Sequence, residues 1–155
     1  MKLLTGAILG AAAGAAGTTA LNLVTYVDMA LRGRPTSDTP EQTVEALAET
    51  AHVHIPGEGD VRRNRIAGLG PLTGIAAGLG VGTLLGVLRA AGGRAPLVVS
   101  SAITGLAAMA ATDGSMTALG VTDPRAWKGK DWFADAVPHL AYGLVTAAVL
   151  DRLAG

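Results

Sequence analysis

The sequence predicts an all-α membrane protein: a four-transmembrane-helix bundle with a short cytoplasmic amphipathic helix between spans one and two. Three observations carry that prediction. Four long apolar stretches recur along 155 residues, and only 15% of those residues are charged; a typical soluble domain carries about 25%. The apolar half of the chain is mostly Ala, Gly, Leu and Val, with one Phe, two Trp and two Tyr. Small side chains bury little area, so a core made of them is weak in water. In a bilayer the objection falls away, because helices there associate through close approach of small residues. The competing class is a soluble helical bundle, since Ala/Gly stretches are only mildly hydrophobic on insertion scales.

Composition also narrows function. A net charge of zero argues against a nucleic-acid partner. Without cysteine there is no disulfide, thiolate metal site or lipoprotein anchor. No Ser-His-Asp order, paired-Glu motif or HExxH supports a hydrolase, so no enzyme activity, cofactor or metal is expected.

The first span, residues 3–27, is free of charge. Lys2 followed by an apolar run also fits a secretory signal, but the run continues well past any cleavage site near Ala16. A signal's apolar region is about 7–15 residues, so a retained span is the better reading.

The long polar segment 32–65 follows. In "RGRPTSDTPEQTVEALAETA", Thr39 reads as an N-cap, Pro40 as the first helical residue and Gln42 as a capping-box partner. Val44, Leu47, Ala48 and Ala51 recur at helical spacing, with Glu41, Glu45 and Glu49 beside them. An acidic helix is a poor match to anionic lipid, so 40–51 is expected on the protein's own cytoplasmic surface or on a partner. "HVHIPGEGD" ends it, and His52 and His54 are too few to make a metal site. "RRNR", Arg62 to Arg65, then abuts the second span.

The second span, 66–88, holds glycine at every fourth position: Gly70, Gly74, Gly78, Gly82 and Gly86. A four-residue step drifts by roughly 40° around a helix, so the five trace a winding groove where another backbone can approach. Span one carries its own version in Gly6, Gly10 and Gly14. The simplest account is that the two grooved helices pack together, as small-xxx-small motifs do. Alternatively one ladder serves a second copy of the chain, or lines a narrow space for an acyl chain or solute. A phosphate loop is excluded, since no strand precedes "GLGVG" and no Lys-Ser/Thr follows it.

The third span, 97–121, contains one charge, Asp113. "WKGKDWF" then fits an interfacial belt of aromatic rings and lysines. The fourth span, 134–153, is clean from Leu140 to Leu150 but has Asp135, His139, Asp151 and Arg152 near its ends. Orientation follows the distribution of Lys and Arg. Arg32, Arg34, Arg62, Arg63 and Arg65 lie between spans one and two, and Arg125, Lys128 and Lys130 between three and four. Lys2, Arg89, Arg94 and Arg152 lie on the other side. The bias puts segments 32–65 and 122–133 in the cytoplasm and both termini outside.

Under that topology a polar level forms in the cytoplasmic half. Asn22, Thr25 and Asp28 come from span one, Thr112 and Asp113 from span three, and Asp135, His139 and Tyr142 from span four. An ionisable residue within a span is costly and usually faces the interior or a water-filled cavity. The functional reading is a proton- or cation-handling site on Asp28, Asp113 and His139. The structural reading, which is favoured, is a polar knot closing hydrogen bonds between helices.

"GAAAGAAGTTALN", residues 10–22, and "PHLAYGLVTAAVLDRL", residues 138–153, resemble the first and last spans of the YagU-like group of small bacterial inner-membrane proteins. Those open with a Gly/Ala-rich span and close on a His-x-x-Tyr-Gly helix. The resemblance implies a four-span protein of the bacterial inner membrane and carries no defined activity. The expected role is structural or accessory, with the lipid bilayer as first partner and a second copy or a membrane protein meeting the 40–51 helix. A small transporter or proton-linked protein using the Asp/His cluster is the alternative.

Overall fold

A computed structural model describes residues 1–155. It contains helices α1 (Leu3–Arg32), α2 (Thr39–Thr50), α3 (Gly59–Ala90), α4 (Leu97–Ala118) and α5 (Gly129–Ala154), with a 3-10 turn at Pro124–Ala126 and no strand. α1, α3, α4 and α5 are each long and apolar enough to cross a membrane. The chain is thus an all-helical four-span membrane protein with one short extra helix, as composition and periodicity require.

The helices outrun the apolar stretches that nucleate them. At 1.5 Å per residue, the 32 residues of α3 reach roughly 48 Å, against a hydrocarbon core of about 30 Å. "RRNR" is therefore not a loop: Arg62 to Arg65 form helical turns of α3 projecting past the bilayer. Arginine is a good helix former, so loss of hydrophobicity there does not end the helix. α1 likewise runs on to Arg32, where Gly33 at φ +62° supplies the left-handed residue that closes it. α4 ends at Ala118, three residues short of the sequence boundary, and α5 begins at Gly129, five residues before it. The carboxylate of Asp131 accepts from the Lys128 N–H at 2.9 Å and starts α5.

α5 is the centre of the bundle. Its buried residues Pro138, His139, Tyr142, Gly143, Thr146, Ala147 and Leu150 alternate steps of one and three, a stripe down one side. α1 packs on both α3 and α5, α4 packs on α5, and α3 and α4 share a smaller contact. Outward faces carry large apolar side chains, with Leu31 82% and Val98 78% exposed. That surface is a liability in water and a contact surface in lipid.

α2 lies across the projecting part of α3. Val44, Ile55 and Ile66 form a small buried cluster with Ala48 against it, and Arg62 donates to Glu45 at 2.7 Å. The face differs from the sequence reading: Thr43 is buried, whereas Leu47 and Ala51 are exposed. The cap differs too. Asp38, not Thr39, is the N-cap; Ser37 Oγ accepts from the Thr39 N–H at 3.2 Å, and no capping box closes on Gln42. Because the Arg62–Glu45 pair is about two-fifths exposed on each side, it contributes at most about 1 kcal/mol. The apolar cluster therefore holds α2. Val44→Asp should release α2, seen as new protease cleavage between residues 38 and 58, while α1, α3, α4 and α5 stay intact. Cleavage unchanged from wild type would mean α2 is held by something else.

Candidate functional site

Two glycine contacts set the spacing of the spans. The first joins α1 to α3, antiparallel. Gly6 lies against Gly86, Gly10 against Gly82 and Gly14 against Gly78. A Cβ on Gly6 would sit 2.5 Å from the Gly86 carbonyl oxygen, and one on Gly14 would sit 2.5 Å from that of Gly78. Backbone touches backbone along this seam. The other two rungs of the ladder do something else. Gly70 lies under α2, where a Cβ would meet Pro40 at 3.1 Å, and Gly74 faces open space. The reason is the 40° drift per rung: the groove has turned away from α1 by the time it reaches Gly74.

The second contact joins α4 to α5, where Gly105 meets the backbone of His139 and Gly143 meets Ser101 and Gly105. Sequence analysis did not single it out, although Ser101 and Gly105, and His139, Gly143 and Ala147, stand four apart. Small hydroxyls share these seams: Ser101, Thr104 and Thr146 are buried, each Oγ without a protein partner.

Tyr142 is the largest fully buried side chain, 1% exposed. Its ring crosses Gly17 and Gly78, and its hydroxyl donates to the Gly78 carbonyl at 2.5 Å. That bond ties α5 to α3. Tyr142 thus closes a hydrogen bond between helices, as the structural reading expects, but does so toward α1 and α3, apart from the acids.

The polar level is correspondingly smaller than expected. Asp28 leaves it: Arg34 donates to it at 2.6 Å and Arg32 at 3.3 Å, one carboxylate beside two guanidiniums near the end of α1. Asn22 is half-buried on α1, with no hydrogen bond linking it to the group. What remains together is Asp113 on α4 with Asp135 and His139 on α5, close enough for all three to interact electrostatically. Asp135 lies one helical turn nearer the start of α5 than His139, on the same side of the helix, and stays at the polar level where the sequence places it.

His139 holds the group in place. It is 9% exposed, and α4 approaches it closely because Gly105 has no side chain. Two turns along α4 from Gly105, Thr112 Oγ1 comes within 3.4 Å of His139 Nε2. On the other side of the ring, Nδ1 lies 2.9 Å from the Asp135 carbonyl oxygen and 3.4 Å from its Oδ2. A carbonyl only accepts, so Nδ1 carries a hydrogen. Thr112 Oγ1 lies 3.1 Å from both the Ala108 and the Met109 carbonyl oxygens. Its hydroxyl can donate to Nε2 of a neutral ring, or donate to a carbonyl and accept from Nε2 of an imidazolium. The pocket thus accommodates either charge state by turning one hydroxyl.

α4 ends at Ala118, so Asp113 lies roughly 7.5 Å from the helix end, in the half of the span where the sequence places it. Just before α5 and in its first turn, Trp127 and Trp132 form an edge-to-face pair with ring centroids 5.1 Å apart, and Trp127 Nε1 donates to Thr122 at 3.0 Å.

The chain matches no family model, no curated protein and no solved structure. His52 and His54 line a surface cleft of about 400 Å³ with Glu45, Glu49 and Arg62. No three of its acidic and imidazole groups converge on a point that could hold a metal ion.

Proposed function

We propose that the chain is a small structural or accessory protein of a bacterial inner membrane. The α1–α3 seam carries this reading. Two spans in backbone contact over three glycine rungs leave no side-chain-lined passage between them and cannot part without losing the whole seam. The bundle then acts as a fixed scaffold whose outer surface meets lipid. Segments 32–65 and 122–133 hold most of the basic residues, which favours the cytoplasm for them. The apolar side of α2 is used on α3, leaving Leu47 and Glu49 outward as the surface for a membrane-protein partner or a second copy. The resemblance to YagU-like proteins agrees with this assignment.

A second reading rests on one observation, the meeting of Asp113, Asp135 and His139. In it the trio is a proton-handling group and the protein is a small proton- or ion-linked membrane protein. One experiment separates the two. Asp113→Asn and His139→Ala are placed in the host chromosome, then scored for folded yield in detergent and for growth under acid and ion stress. The scaffold reading expects reduced folded yield and no growth defect beyond what that yield explains. Normal yield with a selective growth defect would replace it with the proton-linked reading.

A further inference from the structure

A groove of about 190 Å³ opens between α1 and α5 at the end of the bundle that carries α2. Its walls are Val24 on α1 and Phe133, Val137 and Pro138 on α5, and Asp28 and Arg32 stand at its mouth. Phe133 is 73% exposed, an aromatic ring laid along the opening with no protein over it. We propose that this groove binds one anionic phospholipid, with an acyl chain along the apolar wall and the phosphate on Arg32 and Arg34.

Charge at the mouth selects the ligand. Asp28 is shared by Arg32 and Arg34, so one negative charge faces two positive ones and a single positive charge is left over. Each guanidinium has five N–H donors. Arg34 directs its Nε at Asp28, and Arg32 uses one NH1 contact there, which leaves donors on both for phosphate oxygens. A monoanionic phosphodiester neutralises the site; a zwitterionic headgroup brings its own cation to a mouth that is already positive.

Depth agrees with charge. Trp132, next to Phe133, pairs with Trp127 at the level where amphipathic rings meet headgroups. The arginines lie just past the apolar run of α1, where a lipid phosphate sits when its chains enter the hydrocarbon. Lys128 and Lys130 at the start of α5 outnumber Asp131 beside them.

The test uses the full chain purified in a neutral detergent, titrated with phosphatidylglycerol or phosphatidylcholine of matched chains, and read by native mass spectrometry. Wild type should retain one phosphatidylglycerol in clear preference to phosphatidylcholine. Arg34→Gln should reduce that preference roughly fivefold. Asp28→Asn, which removes the negative charge and keeps both arginines, should raise it. Phe133→Ala should weaken both lipids alike. Arg63→Gln, at the same end but 72% exposed and paired with Asp60, should leave the preference unchanged. Equal retention of the two lipids by wild type would overturn the proposal, as would an Asp28→Asn variant with weaker phosphatidylglycerol binding at wild-type thermal stability. The opposite signs expected from Asp28→Asn and Arg34→Gln distinguish headgroup recognition from loss of fold, which would lower both.

Discussion

Gly82→Leu should abolish the native bundle, while Gly74→Leu, eight residues earlier on the same helix, should leave it close to wild type. A Cβ on Gly82 would lie 2.5 Å from the Gly10 carbonyl oxygen and 2.6 Å from the Gly14 Cα, both backbone atoms of α1 that cannot turn aside. Overpacking a tight interface costs typically 1–3 kcal/mol and occasionally more. Here the only relief is separation of α1 from α3, which also removes the flanking contacts at Gly6–Gly86 and Gly14–Gly78. A loss of roughly 3 kcal/mol or more is expected. Gly74 is exposed and meets nothing within 4 Å, so a leucine there adds only lipid-facing surface. The chain has no cysteine, which gives a direct readout: a thiol introduced by Ala13→Cys, fully buried in wild type, should react with maleimide in the Gly82→Leu background and stay protected with Gly74→Leu. Protection in both would mean that the α1–α3 seam does not hold the bundle. Gly92 would be a poor control, because its φ of +98° strains any residue with a side chain.

The same seam shows how far the sequence reaches. Apolar length and the four-residue glycine period are local properties, and they foretold the spans and the pairing of the two grooved helices. They could not say where the groove rotates out of contact, because that depends on where the partner helix lies; hence Gly70 under α2 and Gly74 facing outward. The polar group was legible only in part for a related reason. Burial cost marks Asp113 and His139 from sequence, but whether a carboxylate finds an arginine or a histidine is decided by approach distances. Asp28 meets Arg32 and Arg34 because α1 continues past its apolar run and Gly33 turns the chain back. Tyr142 reaches α3 because Gly17 and Gly78 leave room for its ring. Helix ends do not follow the apolar stretch where arginine or aspartate continues a helix beyond it, as in α3 and α5.

The second large effect is expected at the other seam. α4 meets α5 and little else, and Gly143 is the point of closest approach: a Cβ there would lie 2.8 Å from the Gly105 Cα and nearer still to the Gly105 amide nitrogen and the Ser101 carbonyl oxygen. Gly143→Leu should therefore detach α4 while α1, α3 and α5 hold together, since the neighbouring Tyr142 points away from α4, onto Gly17 and Gly78, and the Arg89–Asp151 ion pair joins α5 to α3 two turns further on. A thiol introduced by Ala108→Cys, 5% exposed on the α5-facing side of α4, should become reactive, while the Ala13→Cys thiol stays protected. Gly114→Leu, on α4 with nothing within 4 Å, should leave both protected. Reaction at both positions with Gly143→Leu would mean that the two seams fold as one cooperative unit. Because α4 carries Asp113 and Thr112 to His139, the detached state also scatters the acid–base group without altering any of its members. A proton-linked protein would then lose its activity under acid stress while its folded yield fell only in part. A scaffold would lose function only as its lipid-facing shape is lost.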